Sequence, residues 1–396
     1  MKKENAIWMF AGGPMQEIAA REIIGMGFRL IITDRNKQCI CMKYADETVE
    51  LDTFDIKGNL EEAKRLKEKF HIRAAVAIAA DCHETAANVG KYLQIHAIDP
   101  NISHACRFKN ITRRILTEEG LLQPKFECVT NLDAACLFLK RNGGKGVVKA
   151  TDNSGSRGFR AIHRPEELTE QIFERAIAEG TTGIAIMEEM MCPVDNEIAE
   201  QSVETVWYNG EMYWLNWVDR LFRKDFQLFE AIKTGLFDDI AWGVEIGHIN
   251  PALHNYAIKK EVFDIIYRAG KAIGMDRQMG GHILKADIML TGKGPCIIEL
   301  TPRCSGGGDS AGTTPLRGAN FIAGIIRLAL GAKLDLNLWH TYFEYKNPSL
   351  YASILADVDR EAIDCIGRRF AVGTGFVREK SLEKAVENLK EERYVV

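Results

Sequence analysis

Short apolar runs alternate with segments of helical spacing through the first 105 or so residues, and this rhythm restricts the fold more than any other feature of the chain. Ala6 to Ala11 is apolar throughout and stops at Gly12-Gly13-Pro14. Met15, Ile18, Ala19, Ile23 and Met26 then recur at three- and four-residue spacing, with Gly27 in the C-cap position. Phe28 to Thr33 is a second apolar run ending at Asp34, and Asn59 can cap a helix striped with Leu60, Ala63, Leu66 and Phe70. Ala74 to Ala80 is a third run, leading into Asp81-Cys82-His83-Glu84 and a further helix. Continuous apolar strands joined by helices predict a parallel sheet covered on both faces. Ligands of such sheets sit beyond the strands' carboxyl ends, where Gly12-Gly13, Asp34 and Asp81 to Glu84 fall. The glycine turn is a weak dinucleotide signal: it lacks a third glycine, and Pro14 removes an amide that would face phosphate. Asp34 suits a ribose or, equally, a cap.

A chain of 396 residues is expected to hold two to three domains. Its 51 Lys+Arg and 55 Asp+Glu leave a net charge of −4, which excludes a general nucleic-acid or membrane-surface binder. No run approaches the ~18 apolar residues of a membrane span, and Ala6 to Ala11 is too short for a secretory signal. The 10 cysteines include no Cys-x-x-Cys, with Cys39 and Cys41 nearest one another. They predict free thiols in the cytoplasm and no structural zinc.

From about Phe108 to Gly331 the pattern becomes α+β, and four constellations carry chemistry. Val147-Val148-Lys149-Ala150 delivers a lysine at the edge of the Asp152 to Gly158 loop, where Ser154, Gly155, Ser156 and Gly158 can wrap phosphate oxygens; the plain alternative is a flexible hairpin with an exposed lysine. Ile283 to Leu290 and Pro295 to Leu300 form a hairpin about Thr291-Gly292-Lys293-Gly294, with Asp287 and Glu299 symmetric about residue 293. A bulge or suitable loop sets these acids opposite one another, whereas a clean four-residue loop pairs Asp287 with Ile298. Opposed like charges destabilise a sheet unless a divalent cation sits between them, and hard oxygen ligands suit magnesium. Otherwise Glu299 pairs with Arg303 while Asp287 faces water. Next comes Arg303-Cys304-Ser305-Gly306-Gly307-Gly308-Asp309, a forked cation beside a backbone nest suited to a carboxylate or acyl phosphate, with Arg317 beyond. Finally, a strand from Gly183 to Met187 ends in Glu188-Glu189-Met190, whose backbone can meet an adenine edge, before Glu200-Gln201-Ser202-Val203-Glu204.

In this order and spacing the segments resemble the ATP-grasp family over nearly the whole chain, and the carboxyl end resembles its carboxylate–amine and L-amino-acid ligase branch. The resemblance implies an α/β plus α+β architecture: an N-terminal parallel-sheet pre-ATP-grasp domain at 1–105, then a two-subdomain ATP-grasp fold at 106–331. A mobile lid would occupy about 125–190, and an α+β segment at 332–396 would pack on the core. It implies ATP held by Lys109, Lys149, the Asp152 to Gly158 loop and the Glu188 to Met190 hinge, with Glu200 at the ribose and Glu197 as its rival. Mg2+ or Mn2+ would sit on Asp287 and Glu299, with Thr301 where the family usually has asparagine. Arg303 and the amides of Ser305, Gly306 and Gly307 would stabilise the oxyanion as an amine attacks an acyl phosphate. His83, Glu84, Asp219, Arg220, His248 and Arg317 are candidates for the pocket of a small carboxylate and amine. Neither nucleic acid nor membrane is a partner, and a homodimer is the expected assembly. Rival readings are a carboxylase, an NAD-dependent oxidoreductase and a nucleotide-binding module without turnover. After Ser381 a closing amphipathic helix carries Leu382, Ala385, Val386 and Leu389.

Overall fold

The opening apolar run lies inside a four-stranded parallel sheet. The computed structural model describes residues 3–153, 157–195, 197–222, 225, 245–252, 254–306, 308–347, 351–355 and 370–372. Strands β1 (Glu4–Phe10), β2 (Arg29–Thr33), β3 (Glu47–Val49) and β4 (Phe70–Val76) stand in the order β3-β2-β1-β4. Helices α1 (Glu17–Gly25), α2 (Ile56–Lys69) and α3 (His83–Leu93) pack on this sheet, and α4 (Pro100–Arg107) leads away from it. Ile7 and Met9 enter one core while Ala6, Trp8 and Phe10 enter another, which is why β1 tolerates no polar alternation.

One local expectation is corrected and one alternative is decided. Asp55, not Asn59, caps α2, accepting from the Gly58 amide at 2.9 Å. Asn59 is buried one turn in and donates to the carbonyls of Asp52 and Asp55, so the earlier of two capping residues starts the helix. Asp34 turns inward and accepts from the Gly12 amide at 2.8 Å, which ties the acid to the glycine turn.

After α5 (Lys109–Glu118) a small antiparallel sheet forms from β5 (Phe126–Val129), β6 (Gly146–Ala150), β7 (Arg160–Ile162) and β8 (Ala185–Glu188), in the order β5-β8-β6-β7. With α6 (Leu132–Arg141) and α7 (Glu170–Ala178) it has its own core around Phe138, Val148, Phe173 and Met187. A larger antiparallel sheet contains β9 (Glu200–Tyr208), β10 (Glu211–Phe222), β11 (Glu245–Asn250), β12 (Gly281–Thr291), β13 (Gly294–Thr301), β14 (Tyr351–Leu355) and β15 (Phe370–Val372). Its order is β13-β12-β9-β10-β11-β14-β15.

The long α8 (Tyr256–Ile273) starts at an Asn255 cap and ends at Gly274, whose φ is +99°. It lies so close to β9 that a Cβ on Gly270 would stand 2.2 Å from the Trp207 ring. A short α9 (Thr314–Leu316) precedes α10 (Phe321–Ala329). Phe321, Ile322, Ile325 and Ile326 of α10 share one core with Ile7, Met9 and Ile23 of the N-terminal domain and with Val206 and Ile283 of the large sheet. Helix α10 therefore packs between the two bodies, alongside direct contacts such as the Cys304 amide donating to Ile78 O. Among the described residues no helix is long and apolar enough to cross a membrane, and the described cysteines are free thiols. The expected helix after Ser381 lies outside the described residues.

Candidate active site

The β12–β13 hairpin decides how the two acids meet. Thr291 pairs with Gly294 and Ile288 with Ile297, then the register slips and Asp287 stands opposite Glu299. Ile298 is the extra residue, a bulge that restores the symmetric placement. The carboxylates are not left to repel each other. Asp287 lies 2.6 Å from Lys285 Nζ and 3.3 Å from Arg220 Nη1, and Glu299 lies 3.0 Å from Lys109 Nζ. Burial alone would raise the Asp287 pKa, but Arg220 and Lys285 outweigh it and hold the group near 2. Burial likewise opposes ionisation of Glu299, and Lys109 overrides it to lower that pKa. The alternative pairing of Glu299 with Arg303 is not adopted: Arg303 grips Asp81 of the N-terminal domain at 2.7 and 2.8 Å.

A buried ionic strut links this hairpin to the small sheet. Arg113, 1% exposed, donates to Glu188 Oε1 at 2.8 Å and to the carbonyls of Ile297 and Ile298 at 3.1 and 2.7 Å. The same guanidinium thus holds the bulge carbonyl and the end of β8. Glu188 Oε2 accepts from Lys149 Nζ at 2.6 Å, aiming the lysine from β6. Burial would raise the Glu188 pKa, yet Arg113 and Lys149 bring it down to about 2. The Glu188 side chain therefore positions Lys149. Glu189 N–H donates to Lys125 O at 2.9 Å, and Met190 lies beyond the strand end. Lys109 closes the ring by donating to Asn153 O at 2.6 Å, while its backbone amide donates to Thr151 O.

On the same face of β9, two residues from each other, lie Glu200, Ser202 and Glu204. Glu204 accepts from the Ser305 amide at 2.7 Å, Ser310 Oγ at 2.8 Å and Asn216 Nδ2 at 3.1 Å. The Ser305 amide, expected to face an oxyanion, is directed to this carboxylate in the structure. Asn216 Nδ2 also donates to Asp309 Oδ1 at 3.0 Å, so one amide group serves two buried acids. Burial, then the nearby Asp309 charge, push Glu204 up to about 7, and burial raises Asp309 as well. Arg317 joins this network through Asn250 Oδ1 at 2.6 Å and stacks 3.6 Å from the Tyr345 ring centroid. His248 meets Thr313 Oγ1 at 2.9 Å.

No protein-family model matches the chain. A curated relative, the uncharacterized protein y4rH of Sinorhizobium fredii (strain NBRC 101917 / NGR234), is 22% identical over 341 residues, or 82% of this chain. The chain spans 62% of that relative's length. Solved structures match more fully. An L-amino acid ligase from Bacillus licheniformis aligns over 100% of this chain and 99% of its own at a TM-score of 0.74 and 16% identity. An ADP complex of N5-carboxyaminoimidazole ribonucleotide synthetase covers 99% and 97% at 0.70 and 14%. The chain has the ATP-grasp fold. A phosphoribosylglycinamide synthetase from Anaerococcus prevotii extends the likeness at 0.63 and 16%, over 89% of this chain and 81% of its own.

Within the ATP-grasp fold the remaining expected residues fall into three groups. Lys109 pairs with Glu299, Lys149 and Arg113 with Glu188, and Arg220 and Lys285 with Asp287, three ionic groups that meet at the β12–β13 hairpin. Thr301 pairs across the hairpin with Lys285. Glu200 pairs with Met289 and faces Arg220 electrostatically, whereas Glu197 lies 3.5 Å from His254. Asp219 and His254 also meet, at 2.9 Å. On the N-terminal side, Glu84 is taken up by His104 at 2.6 Å and Arg107 at 2.9 Å. Gly158 adopts φ +69° above α7, Gly306 accepts from the Asp309 amide, and Ser154, Gly155, Ser156 and Gly307 lie outside the described residues.

Arg113, Lys285, Glu204 and Asp309 are the residues that sequence reasoning gave no role. Among the described residues no cluster of three or more His, Cys, Asp or Glu is arranged to hold a metal. Two opposed carboxylates still fit magnesium, which takes one or two protein carboxylates and completes its shell with phosphate oxygens and water.

Proposed function

We infer that the protein is an ATP-dependent, ADP-forming ligase that joins a small carboxylate to an amine through an acyl phosphate. The observation carrying this reading is the bulge-set pairing of Asp287 with Glu299, ringed by Lys109, Lys285 and Arg220 and linked through Arg113 to the strut that aims Lys149. Asp287 and Glu299 would hold magnesium, which neutralises phosphate charge when bound. Lys109 and Lys149 meet the phosphates as point charges already fixed by Asn153 and Glu188. The small sheet, with its own core, would be the lid that closes over the phosphates and keeps water from the acyl phosphate.

Arg303, Ser305 and Gly306 would face the reacting carbonyl, with the Ser305 amide released from Glu204 as substrate arrives. His248, Arg220 and Arg317 line the carboxylate and amine site from the large sheet and α9. Glu84 borders it from the N-terminal domain, whereas the His83 ring is buried in the seam. The enzyme works in the cytoplasm as a homodimer. Near-complete coverage of an L-amino acid ligase supports amino acids as the first substrates to try. The test is ADP release measured over paired amino acids, hydroxy acids and amines with ATP and magnesium. Glu299→Gln is expected to cut turnover at least ~100-fold while the melting curve stays cooperative. Turnover equal to wild type in that variant would remove the metal assignment, and ADP release that needs bicarbonate would replace the amine ligase by a carboxylase.

A further inference from the structure

The seam between the N-terminal domain and the large sheet contains a cavity of about 90 Å³. Ala77, Ala87 and Ala97 line it from the N-terminal side, facing Ile283, Ile325 and Leu328. The alanines leave space that larger side chains would fill. His83, at the start of α3, also lines the cavity; its ring is 4% exposed and its Nδ1 has no hydrogen-bond partner. Burial holds the His83 pKa down near 4, so the ring is neutral at ordinary pH and offers one N–H and one lone pair.

The other groups around His83 are already committed. Asp81 pairs with Arg303 and Glu84 with Arg107, which leaves no charge in need of a counterion there. His96 and His282 also line the cavity, stacked with centroids 4.6 Å apart. They reach Gly281 O at 3.2 Å and Met279 O at 2.9 Å. The three histidines do not form a metal cluster among the described residues. A cavity of about 150 Å³ takes benzene, so this smaller one takes an apolar body of about four heavy atoms.

We propose that this seam cavity is a binding site for a small neutral ligand, a compact branched aliphatic group carrying one hydrogen-bonding function that meets His83 Nδ1. The site is separate from the paired acids: Ile283 and Asp287 lie four residues apart on β12, about 13 Å along a strand. Pro302 in its wall adjoins Arg303, so occupancy bears on the Asp81–Arg303 contact from behind.

Propan-2-ol, four heavy atoms with one hydroxyl on a branched carbon, is the probe, and the assay is histidine-ring nitrogen NMR on the intact protein without nucleotide. The His83 ring resonances are expected to shift saturably with a dissociation constant on the order of millimolar. Ala87→Leu, which fills the space, should abolish the shift, with Ala97→Val as the substitute if that variant misfolds. His83→Phe should lower propan-2-ol affinity at least ~10-fold, read on the His96 and His282 rings that also line the cavity, while crystals of the variant still take up xenon at the same place. No saturable His83 shift, or an undiminished one in the filled variants, overturns the proposal; so does a crystal soaked in propan-2-ol that shows only water in the cavity. Because no nucleotide is present, this outcome is independent of the ligase assay: absent ADP release refutes the ligase reading alone.

Discussion

Replacing Arg113 by methionine tests the strut most sharply. The guanidinium is buried and makes three hydrogen bonds, to Glu188, Ile297 O and Ile298 O. Two routes give the same magnitude. Removing one partner of a buried ion pair costs about 3–5 kcal/mol because the other charge is stranded. Independently, lowering Glu188 from its ordinary 4.5 to about 2 corresponds to roughly 3 kcal/mol at neutral pH, part of which Lys149 supplies.

A depressed carboxylate pKa contributes stability that is fully present above 4.5 and fades as pH falls toward 2. Arg113→Met is therefore expected to lose about 3 kcal/mol in urea melts at pH 7, and the gap to wild type should narrow below pH 4.5. Adding Glu188→Gln to Arg113→Met should recover part of the loss, since no stranded anion remains. With the Ile298 carbonyl unheld, ADP release should fall too. An unchanged urea midpoint, or a gap constant from pH 7 to pH 3.5, would refute the reasoning.

Three further outcomes are expected. Lys149→Ala should weaken ATP binding by calorimetry roughly 10- to 100-fold, the worth of a charge-assisted hydrogen bond; equal affinity would remove its phosphate role. Glu204, pushed up to about 7, binds more protons folded than unfolded between the ordinary carboxylate range and neutrality, so stability should fall as pH rises through that window. Glu204→Gln should flatten this slope by up to about 1.4 kcal/mol per pH unit in melts from pH 5 to 8. Gly270→Ala sets a methyl against the Trp207 ring and should cost about 1–3 kcal/mol, with a red-shifted or quenched tryptophan emission as the local readout.

The sequence made the acid pair legible because hairpin spacing and side-chain alternation are local. Glu200, Ser202 and Glu204, with Lys285, Asp287, Glu299 and Thr301 in register, form one polar sheet face that a period of two already marks. What was not local was not readable. The bulge at Ile298 is held by an arginine 185 residues earlier in the chain. Burial of Glu204 follows from Ser305 and Ser310 folding back over it, more than 100 residues downstream. Glu188 gave the correct strand end, but the direction of its carboxylate depends on Arg113 and Lys149 arriving from two other elements. Asp34 was ambiguous because a lone acid after a strand has many uses; its carboxylate accepts from the Gly12 and Asn36 amides, as the cap alternative expects.

Helix α10 has a consequence for how the molecule is made. It closes the hydrophobic face of α1 and β1 from a position about 290 residues after β2. At roughly 5–20 residues per second, translation leaves that face uncovered for about 15 to 60 s. Until Phe321, Ile322 and Ile325 emerge, the newborn N-terminal sheet leaves that apolar face open to water.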